Sequence, residues 1–198
     1  RMLQRGESGR LTVGEHVLAV ESYQPPPRLL VFGAADFAAA VVRAGKFLGY
    51  HVTVCDARPI FATRQRFPEA DEVVVDWPHR HLEKTAVDSR TAICVLTHDP
   101  KFDLPLLERA LRLPVGYIGA MGSRRTHDDR MRRLSEAGLT TAELERLHSP
   151  IGLDLGGRTS EETALAILAE ITAARHGADG GFLSRTDAPI HRERNDKV

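Results

Sequence analysis

Five short apolar runs, separated by turn formers and helix-spaced stretches, leave this chain few folds to choose from. They are Leu29-Leu30-Val31-Phe32, Val52-Thr53-Val54-Cys55, residues 72–75, Ala92-Ile93-Cys94-Val95-Leu96 and Val115-Gly116-Tyr117-Ile118. Leu29-Leu30-Val31-Phe32 is a continuous apolar run, which suits a strand buried on both faces with no polar side to show. Phe37, Val41, Ala44 and Leu48 recur at helical spacing up to Gly49, and residues 104–111 read as a further helix. Strands alternating with helices over short connections build a parallel sheet with right-handed crossovers and helices on both faces. The expected fold is therefore α/β: a Rossmann-like, doubly wound, mostly parallel sheet of strand order 3-2-1-4-5. A helical carboxyl-terminal part and a short amino-terminal β segment complete it. Ligands of such sheets bind beyond the carboxyl ends of the strands, where the strand order reverses.

The last third reads as helices over 126–137, 141–147 and 159–176, the third opened by a capping box of Thr159 with Glu162. Residues 78–88 form a polar, histidine-containing connection. Residues 1–24 hold two short strands broken at Gly14 and read as the edge of an amino-terminal β module. Residues 25–28 open with Pro25-Pro26-Pro27, a stiff linker. Residues 29–184 make the Rossmann-like domain, and 185–198 a frayed tail.

With 198 residues, 42% of them hydrophobic, the chain can bury a core without metal or disulfide staples. Its formal net charge of zero sets up no global field toward nucleic acid or an anionic membrane, so neither is an expected partner. No run approaches the ~18 apolar residues of a membrane span, and no leader segment is recognisable. Cys55 and Cys94 each sit inside a strand run and read as separate buried thiols, which fits a reducing, cytoplasmic location.

Gly33-Ala34-Ala35-Asp36-Phe37-Ala38 lies where a dinucleotide fingerprint belongs, and Asp56 ends the second strand where such folds place a ribose-binding acid. The residues fit only in part. Ala35 replaces the glycine that lets backbone approach a pyrophosphate, and Asp36 stands at the helix amino end. There its carboxylate caps the amides a phosphate needs and repels the phosphate, by roughly 4 kcal/mol at about 4 Å and an effective dielectric near 20. NAD(P) is thereby disfavoured, and Gly33 reads as a tight turn. A second cluster, Gly119-Ala120-Met121-Gly122-Ser123-Arg124-Arg125-Thr126-His127, joins glycines, hydroxyls and forked donors at a helix start. That combination favours an anion such as a phosphate. The plainer alternative is a solvated basic first turn continued by Arg130, Arg132 and Arg133. Thr97, His98 and Asp99, with Lys101 nearby, follow the fourth strand toward the same crevice. His148-Ser149-Pro150-Ile151-Gly152-Leu153-Asp154, with Gly156 and Gly157, reads as a loop folding back as lid or floor. The chain carries no His/Cys set at metal spacing, no nucleophile elbow and no P-loop.

In order, the first strand with Gly33-Ala34, Val52 to Pro59, Leu96 to Asp99, Tyr117 to Thr126 and His148 to Asp154 resemble the xanthine dehydrogenase accessory protein (XdhC/CoxI) family, in its carboxyl-terminal Rossmann domain. The resemblance runs from about Pro25 to Arg192. It implies a molybdenum-hydroxylase maturation factor that binds the molybdenum cofactor (molybdopterin) and helps its sulfuration or its insertion into a xanthine dehydrogenase-like enzyme. A cysteine desulfurase would be a second partner, and the chain itself a delivery protein rather than a catalyst. The family pattern at the first turn is Gly-Ala-Gly-His, where this chain has Gly33-Ala34-Ala35-Asp36. The family's amino-terminal domain is matched only by the two strands before Pro25. The implied cofactor contacts are Gly33, Asp56, Thr97, His98, Asp99, Gly119, Gly122, Ser123, Arg124, Arg125, Thr126, His148 and Asp154. Ser123, Arg124 and Arg125 would hold the cofactor's phosphate, and Thr97, His98 and Asp99 would line its pterin. Two readings of other classes stay open: an NAD(P)-dependent oxidoreductase with Asp56 on a ribose and a hydride acceptor near His98, and a nucleotide-sensing domain without chemistry. A homodimer through the first strands or the final helix is also open.

Overall fold

The computed structural model describes residues 8–186, so residues 1–7 and most of the expected tail, 187–198, lie outside the described residues. The first two strands, β1 (Gly9–Val13) and β2 (His16–Val20), pair with each other as an antiparallel hairpin. Six strands form a separate sheet: β3 (Arg28–Phe32), β4 (His51–Asp56), β5 (Glu72–Val75), β6 (Ala92–Val95), β7 (Tyr117–Ala120) and β8 (Leu147–His148). Their order is β5-β4-β3-β6-β7-β8 and every pairing is parallel. This is the expected order with one strand more at the β7 edge. The expected proline linker is tied down, because Pro27 accepts from the His51 amide at 2.8 Å and Pro25 from Arg90 at 2.9 Å.

Side chains alternate along the strands, and each face has its own core. Leu29, Val31, Val52, Val54, Cys94 and Tyr117 pack under α1 (Ala38–Phe47) and α6 (Ser160–His176). Leu30, Phe32, Cys55, Ile93, Val95, Ile118 and Ala120 pack under α2 (Pro78–Lys84), α3 (Pro100–Ala110) and α4 (Arg124–Glu136). The continuous apolar runs follow from this arrangement, since neither face of the central strands meets water. Cys55 and Cys94 are both buried and free.

Several boundaries differ from expectation. Residues 78–88 contain a helix, α2, started by Pro78 in its first turn. Helix α3 begins at Pro100 rather than 104, because the Asp99 side chain caps it by accepting from the Lys101 amide at 3.1 Å. Helix α5 (Thr141–Leu144) stops before 147, and Leu147 belongs to β8. The guanidinium of Arg146 donates to the carbonyls of Leu111, Leu113 (2.8 Å) and Val115 (3.0 Å). It thereby pins the chain beside the start of β7, where extension and pairing replace the helix.

The ends of β3 and β6 approach so closely that residue 33 has to be glycine. Its φ is +103°, and a β-carbon there would lie 2.7–2.9 Å from Thr97 and the Leu96 carbonyl carbon. Gly33→Ala should lower stability in a denaturant titration by roughly 3 kcal/mol, combining backbone strain with overpacking. Gly49→Ala, at φ +79° with open space around it, should cost only about 1 kcal/mol.

Candidate functional site

Where the strand order reverses, between the carboxyl ends of β3 and β6, the surface opens into a groove of about 510 Å³. Its walls are the turn 33–36, then Arg58, Phe61 and Arg66 from the connection after β4, and residues 96–100 with Phe102 after β6. Four of its thirteen lining residues are charged (Asp36, Arg58, Arg66 and Asp99), and its volume falls in the range of small-molecule sites.

The turn is held from below. Asp56 is 2% exposed and accepts from the Ala34 amide, the Arg58 amide and the Arg58 Nε and Nη2, each at 2.9 Å. Burial alone would raise the Asp56 carboxyl, but the Arg58 fork and the two amides outweigh it and hold the group below the usual carboxylate range. The carboxylate expected on a ribose is therefore occupied by the protein's own donors. Asp36 departs from expectation as well. It does not cap α1, whose amino-terminal cap is Phe37 without a side-chain bond. The Asp36 side chain is fully exposed and reaches the Arg66 Nη2 at 3.1 Å, because the guanidinium offers a charged partner that helix amides do not match.

Arg66 also donates through Nη1 to the carbonyls of Ala34 (3.0 Å) and Phe61 (3.3 Å). The guanidinium carbons of Arg58 and Arg66 lie 4.3 and 5.4 Å from the centre of the Phe61 ring. On the opposite wall, exposed His98 meets the Phe37 ring edge-on at 6.5 Å, and Asp99 pairs with Lys101 at 2.9 Å. The hydrogen bond from Lys101 is the main reason the Asp99 carboxyl titrates below its usual range.

A buried polar chain runs behind that wall. The Thr97 hydroxyl donates to Asp103, which pairs with Arg130 at 3.1 Å, both side chains being at most 5% exposed. Arg130 also donates to the Met121 carbonyl (2.9 Å) and the Ser149 hydroxyl (3.1 Å), so one guanidinium joins the loops after β6, β7 and β8.

Of the expected contacts, Gly33, Thr97, His98 and Asp99 line the groove, and Asp56 supports it from beneath. Gly119, Gly122, Ser123, Arg124, Arg125 and Thr126 are not among its lining residues. Gly119 is required by packing, since a β-carbon there would meet Ile151 at 2.5 Å. Ser123 caps its own helix by accepting from the Thr126 amide at 3.2 Å, and Arg124 and Arg125 are exposed at the start of α4. His148 stacks on Tyr117 at 4.7 Å and lies 3.1 Å from Glu170, which also accepts from Tyr117 and from the Gly152 amide at 2.7 Å. Asp154 is exposed beyond this cluster. The loop 148–154 thus packs on α6 rather than over the groove. Arg58, Phe61, Arg66 and Phe102 line the groove without having been expected there. For Arg58 a signal existed, its place just beyond the end of the second strand.

Two measurements check this arrangement. Arg130→Met leaves the Asp103 carboxylate buried and unpaired, and should cost about 3–5 kcal/mol in denaturant titration, much of it recovered when Asp103→Leu is added. For Glu170, burial raises the carboxyl, but hydrogen bonds from His148, Tyr117 and the Gly152 amide lower it further, so its net shift is downward from 4.5. A depressed native value gives stability that is full above pH 4.5 and is lost as pH falls through the native value. Glu170→Gln should flatten that acid limb of the stability profile.

The chain resembles known proteins in the same region. A family profile described as the XdhC Rossmann domain matches residues 29–171. The chain is 28% identical over 168 residues to the uncharacterized protein YqeB of Escherichia coli K12, covering 82% of this chain and 30% of that protein. It is 29% identical over 156 residues to a probable xanthine dehydrogenase subunit of Bacillus subtilis 168, covering 79% and 45%. The molybdenum cofactor insertion chaperone PaoD of Escherichia coli K12 is 29% identical over 153 residues, covering 77% and 42%. The chain thus spans less than half the length of these relatives. A crystal structure described as a xanthine dehydrogenase from Bacillus halodurans superposes with a TM-score of 0.68 at 29% identity, covering 87% of this chain and 46% of that one. The profile spans most of the chain and coincides with the parallel sheet and its groove, and the chain belongs to the XdhC Rossmann domain family.

Proposed function

We propose that this domain holds the molybdenum cofactor as cargo and serves its sulfuration or insertion into a xanthine dehydrogenase-type molybdoenzyme. The observation that carries the reading is the groove at the strand-order reversal, which gathers the Arg58 and Arg66 guanidinium groups and the Phe61 and Phe102 rings with Thr97, His98 and Asp99. A phosphorylated pterin calls for that pairing, since forked donors suit the phosphate and ring faces suit the planar pterin. The names of PaoD and of the Bacillus subtilis relative point to the same cargo and client.

The domain's own residues bind and orient on this reading, and a sulfur donor is a separate protein such as a cysteine desulfurase. A persulfide carrier needs an accessible, readily ionised thiol. Burial pushes the Cys55 thiol up to about 12, and Cys94 is displaced in the same direction by its burial. The NAD(P)-dependent reading is weaker, because Asp56 has no oxygen left over for a ribose without giving up its bonds to Ala34 and Arg58.

The test is retention of pterin. After anaerobic incubation with molybdenum cofactor and gel filtration, the protein peak should carry near-stoichiometric pterin fluorescence. Ala35→Phe, which places a ring in the groove mouth, should abolish it while shifting stability by no more than about 1 kcal/mol. A wild-type peak free of pterin, or full retention by Ala35→Phe, would refute the reading.

A further inference from the structure

The groove contains a guanidinium with one nitrogen anchored on two carbonyls and another meeting an exposed carboxylate. Arg66 is anchored by its Nη1 on two carbonyls, and its carbon lies 5.4 and 5.6 Å from the centres of the Phe61 and Phe67 rings. Its Nη2 meets Asp36 at 3.1 Å; the Asp36 side chain is 100% exposed and the Arg66 side chain 31%. Exposed ion pairs are weak and salt-screened, whereas a guanidinium ordered in advance loses little freedom when an anion arrives. Arg58 packs on the same Phe61 ring, its fork held by Asp56 and its carbon 4.3 Å from the ring centre.

Resting on the reading that the groove holds a phosphorylated pterin, we infer that the ligand's phosphate is taken by Arg66, with Arg58 nearby on the same wall of the groove. Asp36 is then a built-in competitor, an internal anion that the phosphate displaces. The displacement is favoured because a phosphate ester brings more charge and several acceptor oxygens to a fork suited to them. In this arrangement Asp36 makes the groove selective: a neutral pterin has no means of displacing it, and a phosphorylated one has. The phosphate subsite is thereby assigned to the connection after β4 rather than to Ser123, Arg124 and Arg125 at the start of α4.

Isothermal titration at low ionic strength tests this with three probes: metal-free molybdopterin, its dephosphorylated form and inorganic pyrophosphate. Asp36→Asn, a change at a fully exposed side chain, should tighten molybdopterin and pyrophosphate by about tenfold, the scale of removing one nearby like charge. Arg66→Gln should weaken both by about tenfold, and neither variant should move the dephosphorylated pterin. If the wild-type chain takes pyrophosphate with these dependences but no pterin, the subsite stands and the cofactor reading fails. If molybdopterin binds and neither variant changes its affinity, the cofactor reading stands and the subsite is refuted. The subsite is equally refuted if only Arg124→Ala with Arg125→Ala weakens binding.

Discussion

Asp56 places a carboxylate almost out of water at the point where the β3–β4 ladder ends, and three donor groups converge on it. One is the amide of Ala34, another the amide of Arg58, and the third the Arg58 fork. An uncompensated charge at this depth would be costly, so the turn after β3 and the connection after β4 have to close around it. The last ladder bond, from the Gly33 amide to the Cys55 carbonyl at 2.9 Å, brings the two segments to within reach. The carboxylate then continues the pairing by side chain where the backbones diverge. The shape of the groove depends on that continuation, because the same carboxylate orients Arg58 along one wall.

The opposite wall is stiffened by different means. Residues 97–103 turn from β6 into α3, and the Thr97–Asp103–Arg130 chain fastens that turn to the loops after β7 and β8. Both walls are thus braced by a buried carboxylate held by a guanidinium, fully buried for Asp103 with Arg130 and with a half-exposed arginine for Asp56 with Arg58. Such pairs contribute little net stability compared with apolar packing, but they punish any displacement of one partner. The groove therefore has walls set in advance of a ligand, with the freedom concentrated in exposed side chains such as Asp36 and His98.

The parts of this architecture that were legible in the sequence are those governed by local rules. Central strands need unbroken apolar runs, and the runs at 29–32, 52–55 and 92–96 accordingly mark β3, β4 and β6. The box of Thr159 with Glu162 is present as a cap of α6, the Glu162 amide donating to the Thr159 hydroxyl oxygen at 3.1 Å. Strand β8 was not legible. Two residues carry no periodicity, and what extends them is the grip of Arg146 on carbonyls more than thirty positions earlier. Asp36 misled for a related reason. A carboxylate beside a helix start is a cap by local logic, but Arg66 lies far along the chain and close in space. The same holds for the site as a whole. Strand ends pointed to Gly33, Thr97, His98 and Asp99, while Phe61 and Arg66 come from an irregular connection whose path only the fold determines.

One face of the sheet depends on the far end of the chain. Val31, Cys94 and Tyr117 share their cover between α1 and α6, and Ala164, Ile167, Leu168 and Ile171 supply the second half of it. During synthesis from the amino end, β1 to β8 all emerge before α6 does, and that apolar face then lacks half of its cover. Contacts between segments so distant in sequence are slow to form, and an uncovered sheet is prone to association with other chains in the interval. The vulnerable period for this face of the sheet is thus the one just before α6 docks. A groove assembled from residues 33–102 is secured by a segment that takes no part in its lining.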